Sequence, residues 1–409
     1  MILLRNAKIM TSSKLTDILI DEGKIIAIDD FITAKATKIL DINGATVIPG
    51  AVDVHVHLRE PGFEHKETIK SGTLAAAKGG VTTLMAMPNT KPVIDSMLHL
   101  EKIKSIIKKD AQVRVFPYAS VTIGEKGQEV TDIKGLAPFV KGFSDDGVGV
   151  GNLDLLRRAM ISVKQFNGII ASHAEVFEYV STPESEVLAI RQELELVREI
   201  GCRYHFCHVS LKESFELIAR AQSEGLDVTC EVTPHHILLC ADDVCLDTNK
   251  KMNPPLRSID DVLATRRALL DGVATIIATD HAPHTPLEKS RDFASAPNGV
   301  IGLETLVPLI YTEFVYKKQA TLSDMVQWIS INPAKRFDLP CGELTVGGLA
   351  DLSVIDTESS IYSEAEIVSL SKNSPFIGHK MYGKNILTLV AGEVKYVDNK
   401  KVKAYEENR

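Results

Sequence analysis

Ile48-Pro-Gly-Ala-Val-Asp-Val-His-Val-His-Leu58 is the stretch on which the fold turns. Val52–His57 alternates as a strand does, and side chains two apart on a strand face the same side. His55 and His57 therefore converge on one point, as two ligands of a single metal ion must. The turn and apolar entry ahead of them, Ile48-Pro-Gly-Ala-Val52, suit the first strand of a buried parallel sheet. An ordinary strand with two satisfied histidines is the plainer alternative, and the rest of the chain weighs against it.

Outward from this strand, one theme recurs between about residues 50 and 340: a short run rich in β-branched residues, a turn, then a helix-like stretch. The predicted strands are Val52–His57, Val81–Met87, Val113–Ala119, Phe139–Ser144, Gly168–His173, Tyr204–Val209, Asp227–Val232 and Thr275–Asp280. Strands and helices alternating in this number predict an α/β chain, a TIM (β/α)8 barrel over residues 50–345, with a doubly wound open sheet as the alternative. The flanks differ. Asp17-Ile-Leu-Ile-Asp-Glu-Gly-Lys-Ile-Ile-Ala-Ile28 reads as a hairpin bent at Glu22-Gly23. Leu349–Asp356 and Asn385–Val394 have the same character. A small, β-sandwich-like domain assembled from both chain ends, residues 1–49 and 346–409, is the expectation.

A chain of 409 residues with 44% apolar composition supports a large core, and a net charge of −8 offers no basic field for nucleic acid. No apolar run approaches a membrane span, and Met1-Ile-Leu-Leu-Arg5 lacks the layout of a signal peptide, so a cytoplasmic location is expected. The six cysteines include no CxxC pair and are read as reduced thiols rather than disulfides or a thiolate metal site.

Polar residues fall where a barrel places function, at the C-terminal ends of strands. The first strand ends in His55-Val-His57, the fourth in Phe143-Ser-Asp-Asp-Gly147 and the fifth in His173. The sixth carries His208 near its end, and the eighth carries Asp280. A nitrogen and oxygen donor set of this kind suits zinc or another divalent transition metal.

Together these residues resemble the amidohydrolase superfamily. His57-Leu-Arg-Glu-Pro-Gly62, Met87-Pro-Asn-Thr90, Phe143–Gly147, Lys251-Met-Asn-Pro-Pro-Leu-Arg257 and Ala278-Thr-Asp-His-Ala-Pro-His284 look like the signature segments of type I bacterial dihydroorotases, over nearly the whole chain. The resemblance implies one or two zinc ions on His55, His57, Asp146, His173 and His208. Asp280 would transfer protons, and Arg59, Asn89, Asn253, His284 and the Asn298-Gly299 backbone would hold substrate. The implied reaction is the reversible cyclisation of N-carbamoyl-L-aspartate to L-dihydroorotate. A homodimer and an association with aspartate carbamoyltransferase are the partners it suggests.

These roles are chemically coherent. A divalent ion acidifies bound water and polarises a carbonyl. One carboxylate, Asp280, can take a proton and return it. Arg59 offers a planar fork of donors matched to a carboxylate. Each residue also has a plainer alternative: Arg59 paired with Glu60, Asn89 and Asn253 as turn residues, His284 as a surface loop histidine. His235 and His236, beyond the seventh strand, are read as structural or as supporting the site residues from behind. Hydantoinase-like relatives bridge their metals with a carboxylated lysine. Asp146 is the expected bridge here, with Lys141 on the same strand as the alternative. Relatives often carry a longer loop after the fifth-strand histidine, whereas Ala174-Glu-Val-Phe-Glu-Tyr-Val180 passes quickly into a helix around Glu184–Ile200. Two other functions stay open: another cyclic-amide hydrolase of the hydantoinase or allantoinase kind, and a non-catalytic dihydroorotase-like subunit. Arg59 speaks against the first, because a plain hydantoin carries no carboxylate. The complete ligand set speaks against the second.

Overall fold

The computed structural model describes residues 1–10, 12, 14–176, 179–340 and 343–405. Five strands open the chain: β1 (Ile2–Ile9), β2 (Leu15–Asp21), β3 (Lys24–Asp29), β4 (Lys38–Asp41) and β5 (Thr46–Pro49). β2 and β3 form the hairpin predicted at Glu22-Gly23, where both residues take positive φ. β1 runs parallel to β4 over Ile2–Arg5 and to β5 over Lys8–Ile9, so the sheet forks along it.

Seven further strands belong to the middle of the chain: β6 (Ala51–Val56), β7 (Val81–Ala86), β8 (Arg114–Pro117), β9 (Ile169–Ser172), β10 (Arg203–Phe206), β11 (Val228–Val232) and β12 (Ile276–Ile277). All their mutual pairings are parallel. β6 pairs with β7 and β7 with β8. Bridges then lead from Ala119 to Phe143 and from Phe143 to Ile170 in β9. β9, β10, β11 and β12 follow in order, and a bridge from His281 to Val56 returns to β6. β6 is buried along its entire length, Asp53 and His55 included, as a strand inside a parallel sheet is.

Six strands complete the chain: β13 (Leu352–Asp356), β14 (Ser360–Ile361), β15 (Lys380–Met381), β16 (Lys384–Val390), β17 (Glu393–Val397) and β18 (Lys403–Tyr405). β13 pairs with β5 and β16, β16 with β17, and β18 with β4. The two ends of the chain therefore share one connected nine-stranded sheet. Its apolar cluster draws on both ends, with Leu4, Ile18 and Val47 against Leu352, Val354 and Leu387.

Several predicted strands are shorter than the sequence suggests, the fourth and the eighth most of all. Residues 137–139 continue a helical turn rather than a strand, since Pro138 has no N–H to give to a ladder. Only Gly142–Ser144 pair, through Phe143 N–H to Ile169 and Ser144 N–H to Ala119. The eighth strand is regular only at Ile276–Ile277, and its chain turns out at Asp280, φ +48°. The helix after the fifth strand is as expected. Pro183–Ile200 starts at Thr182, whose hydroxyl caps Ser185 N–H, and stops at Gly201 in the left-handed region. Among the described residues no helix is long and apolar enough to cross a membrane, and Cys202, Cys207, Cys230, Cys240 and Cys245 are free thiols. Cys341, like Phe177 and Glu178 of the shortened loop, lies outside the described residues.

Candidate active site

His55 is the penultimate residue of β6, and the other five candidate metal and proton-transfer residues follow the C-terminal ends of their strands. Period-two alternation brings His55 and His57 to one side, with ring centroids 5.5 Å apart. Asp146 lies between two triads, His55–His57–Asp146 and Asp146–His173–His208, whose ligand atoms lie within 4.8 Å of one another in each set. His55 Nε2 is 3.3 Å from Asp146 Oδ1, and His57 Nε2 is 3.4 Å from Asp146 Oδ2. His173 Nδ1 and His208 Nε2 are each 3.7 Å from Asp146 Oδ1. Asp280 Oδ1 stands 2.9 Å from His57 Nε2 and 3.5 Å from His55 Nε2. The sequence-predicted cluster therefore assembles completely.

The donor set fits a metal ion. His55 Nε2 and Asp146 Oδ1 are buried, and neither has a hydrogen-bond partner among the described residues. The histidines' far nitrogens face acceptors: His55 Nδ1 meets Glu231 at 2.6 Å, His57 Nδ1 meets Asn89 Oδ1 at 3.0 Å, and His173 Nε2 meets Glu175 at 2.9 Å. A proton held on each outer nitrogen leaves the inner lone pair free for a cation. Electrostatics agree. Burial would lower the His55 imidazole, yet Asp146 and Glu231 hold it well above its ordinary value. Burial likewise opposes ionisation of Asp280, but His55 and His57 keep its carboxyl well below the usual range. Carboxylates packed this closely demand positive charge among them, which a divalent ion supplies.

The surrounding cavity, about 240 Å³, is lined by His57, Arg59, Asn89, Asp146, Gly147, His173, His208, Asn253, Asp280, Ala282, His284, Asn298 and Gly299. All the sequence-predicted substrate residues are among them. Their free valences differ. Asn89 donates to Asp146 O at 3.2 Å while accepting from His57, so it braces two candidate ligands. Asn253 donates to Glu175 at 2.7 Å and accepts from the Ser181 hydroxyl at 2.8 Å. His284 Nε2 donates to Asn298 O at 2.8 Å, and its Nδ1 faces Lys66 Nζ at 3.2 Å. Burial and the neighbouring Arg59 and Lys66 cations lower it to about 3, so it is neutral. Arg59 is different: Nε donates to Pro283 O, Nη2 lies near His284, and no carboxylate pairs with it among the described residues. The expected alternative partner, Glu60, instead accepts from Ile69 N–H.

Residues 44–181 match the family described as Dihydro-orotase-like. A dihydroorotase of Bacillus thuringiensis (strain Al Hakam) is 43% identical over 406 residues, covering 93% of this chain and 94% of that protein. One of Bacillus cytotoxicus is 42% identical over 402 residues, with the same coverage. This chain belongs to the dihydroorotase-like family. Its fold is shared more widely. An L-hydantoinase (dihydropyrimidinase) from Arthrobacter aurescens superposes with a TM-score of 0.89 at 27% identity, over 97% of this chain and 96% of that one. A D-hydantoinase from a Thermus species has the same fold, with a TM-score of 0.86 at 22% identity over 100% and 97%. The chain thus belongs among the cyclic amidohydrolases, and its His/Asp cluster could hold a metal ion.

Within this dihydroorotase-like chain, Lys141 points away from the cluster, its Nζ donating to Asp338 O at 2.9 Å. Three site residues, Arg59 (φ +63°), His208 (φ +36°) and Asp280 (φ +48°), lie in the left-handed region, a local strain typical of functional positions. Sequence reading missed Glu231 and Glu175. Glu231 is fully buried on β11 and accepts from both His55 and His205; burial would raise its carboxyl, but the two imidazoles hold it at about 2. An acid near the end of a predicted strand, between Cys230 and Val232, was the available signal, because a buried carboxylate needs a partner. His235 and His236 begin a short helix, Pro234–Leu238, and both are buried. His236 bridges Thr233 and Pro254 O, a structural role as expected.

Proposed function

We propose that the chain is a dihydroorotase, interconverting N-carbamoyl-L-aspartate and L-dihydroorotate in pyrimidine biosynthesis. We read the closed circuit of parallel pairings as a (β/α)8 barrel over residues 50–345, flanked by a β domain from residues 1–49 and 346–409. The observation that carries the function is Arg59, a half-buried guanidinium on the cavity wall with no carboxylate paired to it among the described residues. Burial, offset in part by Asp280 and Asp146, lowers it only to about 10, so it stays charged at neutral pH. Such a group is costly unless an anion meets it, and dihydroorotate carries the carboxylate that a plain hydantoin or dihydrouracil lacks.

His55, His57, Asp146, His173 and His208 would hold zinc, one ion or two, with Asp146 facing both triads. When bound, the ion supplies Lewis acidity towards the amide carbonyl and acidifies water. Asp280, kept ionised beside His57, accepts a proton during ring opening and delivers it to the departing nitrogen. In ring closure the same carboxyl starts protonated. Arg59 orients the ring by its carboxylate. The reading includes a cytoplasmic location, small-molecule rather than nucleic-acid or membrane partners, a homodimer, and association with aspartate carbamoyltransferase. Light scattering with and without the transferase tests the last two.

The hydantoinases of like fold make dihydropyrimidinase the second reading. Metal quantification on purified protein, with turnover of dihydroorotate, dihydrouracil and hydantoin measured side by side, separates the two. Dihydroorotate should be strongly preferred. Equal turnover of dihydrouracil would make dihydropyrimidinase the better assignment.

A further inference from the structure

Asn373 comes from the stretch between β14 and β15, far along the chain from every candidate site residue, yet it is buried, 3% exposed, behind the cavity wall. Its side-chain Nδ2 donates to Ala282 O at 3.1 Å and to Gly299 O at 3.0 Å. Its Oδ1 accepts from His284 N–H at 3.1 Å, and its own carbonyl accepts from Ile301 N–H at 3.0 Å. This amide thus adds three bonds to the two wall segments Ala282–His284 and Asn298–Gly299, which are otherwise joined by Ala282 N–H to Val300 O at 2.8 Å and His284 Nε2 to Asn298 O at 2.8 Å. Both segments are irregular backbone with few ladder bonds of their own, Ala282 N–H to Val300 O and Gly299 N–H to Lys251 O, so side-chain bonds weigh heavily in their spacing.

The two segments are pressed close. Gly299 has φ +132°, and a Cβ there would stand 2.7 Å from Ala282 Cβ and 2.8 Å from Ala282 O. Backbones that approach this nearly leave carbonyl oxygens facing one another, and a shared donor pair between them is what makes the approach favourable. The stretch around Asn373 also reaches the Arg59 loop. Ser371 Oγ donates to Lys66 O at 2.7 Å, and Leu370 N–H donates to Glu67 at 3.2 Å. Lys66 in turn faces His284.

We propose that Asn373 is a positioning residue for the substrate end of the cavity. It sets His284 and the Asn298–Gly299 turn at the spacing that receives the part of the substrate furthest from the metal cluster. This rests on the dihydroorotase reading above. Asn373 touches no candidate ligand, so its removal should leave metal content intact and act on substrate binding.

The test uses metal-loaded full-length protein carrying Asn373→Ala, with Asn373→Asp as a second, isosteric variant. The aspartate keeps the acceptor for His284 N–H but replaces both donors by oxygen facing carbonyl oxygen. In both variants we expect KM for dihydroorotate to rise about tenfold or more with kcat changed far less, because misplacement of a binding wall costs binding first. Metal content should match native protein. Amide exchange followed by mass spectrometry should quicken in peptides spanning residues 281–302 while peptides of β6 and β9 stay protected. Should Asn373→Ala not accumulate as folded protein, the aspartate variant alone decides. Unchanged KM together with unchanged exchange overturns the proposal, as does loss of metal or a fall confined to kcat. Exchange is read without substrate. If native protein ignores dihydroorotate while exchange in residues 281–302 still quickens, the functional reading fails and the tether stands.

Discussion

Replacing Arg59 with Met separates the charge of this side chain from its bulk. Methionine keeps an unbranched apolar stem and removes every donor. In the native protein Nε is engaged by Pro283 O at 3.2 Å and Nη2 approaches His284 at 3.3 Å, while Nη1 has no partner among the described residues. The neutral contact to Pro283 is worth about 1 kcal/mol, roughly fivefold in rate, and is lost for any substrate. A charge-assisted bond to a substrate carboxylate in a desolvated wall is worth about 3 kcal/mol, roughly 150-fold, and is lost only for a substrate that has the carboxylate. For Arg59→Met, kcat/KM for dihydroorotate should therefore fall by two to three orders of magnitude, the product of those factors. Whatever slow turnover of dihydrouracil exists should fall by no more than about fivefold. The assay is ring opening followed spectrophotometrically for both compounds at one pH, with metal content checked in parallel. An equal fall for both substrates would refute the reasoning, because Arg59 would then be holding the wall rather than reading a carboxylate.

Other expectations follow from the same geometry. Asp280→Asn should keep its metal and lose most turnover, since an amide cannot accept the proton; Asp146→Ala should lose metal and activity together, and Lys141→Ala neither, all read by elemental analysis beside the rate. A strong chelator should abolish turnover and zinc should restore it, so full activity in protein shown to be metal-free would exclude the metal reading. Glu125 gives a pH test of stability. Burial, then Asp145, Asp146 and Asp95, push its carboxyl from an ordinary 4.5 up to about 9. Between those values folding takes up a proton, so native stability contributed by this group is present below pH 4.5 and lost as pH rises towards 9. Glu125→Gln removes that loss. Its Tm advantage over native protein should be small at acid pH and grow towards alkaline pH, and a constant difference across thermal melts would show the carboxyl is not held protonated.

Much of the site was legible before any coordinates. His55 and His57 share a face because of a two-residue period, and strand ends in a parallel α/β chain converge on one rim. His173, His208 and Asp280 could therefore be placed from strand positions alone. The fourth strand was misjudged for a local reason. Phe139–Ser144 has strand-like composition, but Pro138 and the helical turn over residues 137–139 leave only Gly142–Ser144 to pair. The partners of the substrate residues were not legible. Asn89, Asn253 and His284 were expected to hold substrate, and no partner within the protein was foreseen for them. The fold instead engages them with Asp146, Glu175, Asn298 and Lys66.

The sequence by itself determined the alternation of strand and helix, the share of both chain ends in a β structure, and which side chains gather at one rim of the strands. These follow from short-range signals: periodicity, caps, turns and the chemistry of single residues. Only the tertiary structure decided which of those side chains keep free valences. Glu231 meets His55 across 176 residues, and Asn373 meets His284 across 89. No local pattern encodes such a pairing, because a buried polar group takes whatever partner packing delivers to it. Arg59 is the converse. Its sequence neighbour Glu60 is an ordinary partner on paper, and the fold turns that carboxylate to a helix N-terminus, leaving the guanidinium on the cavity wall with no carboxylate paired to it among the described residues.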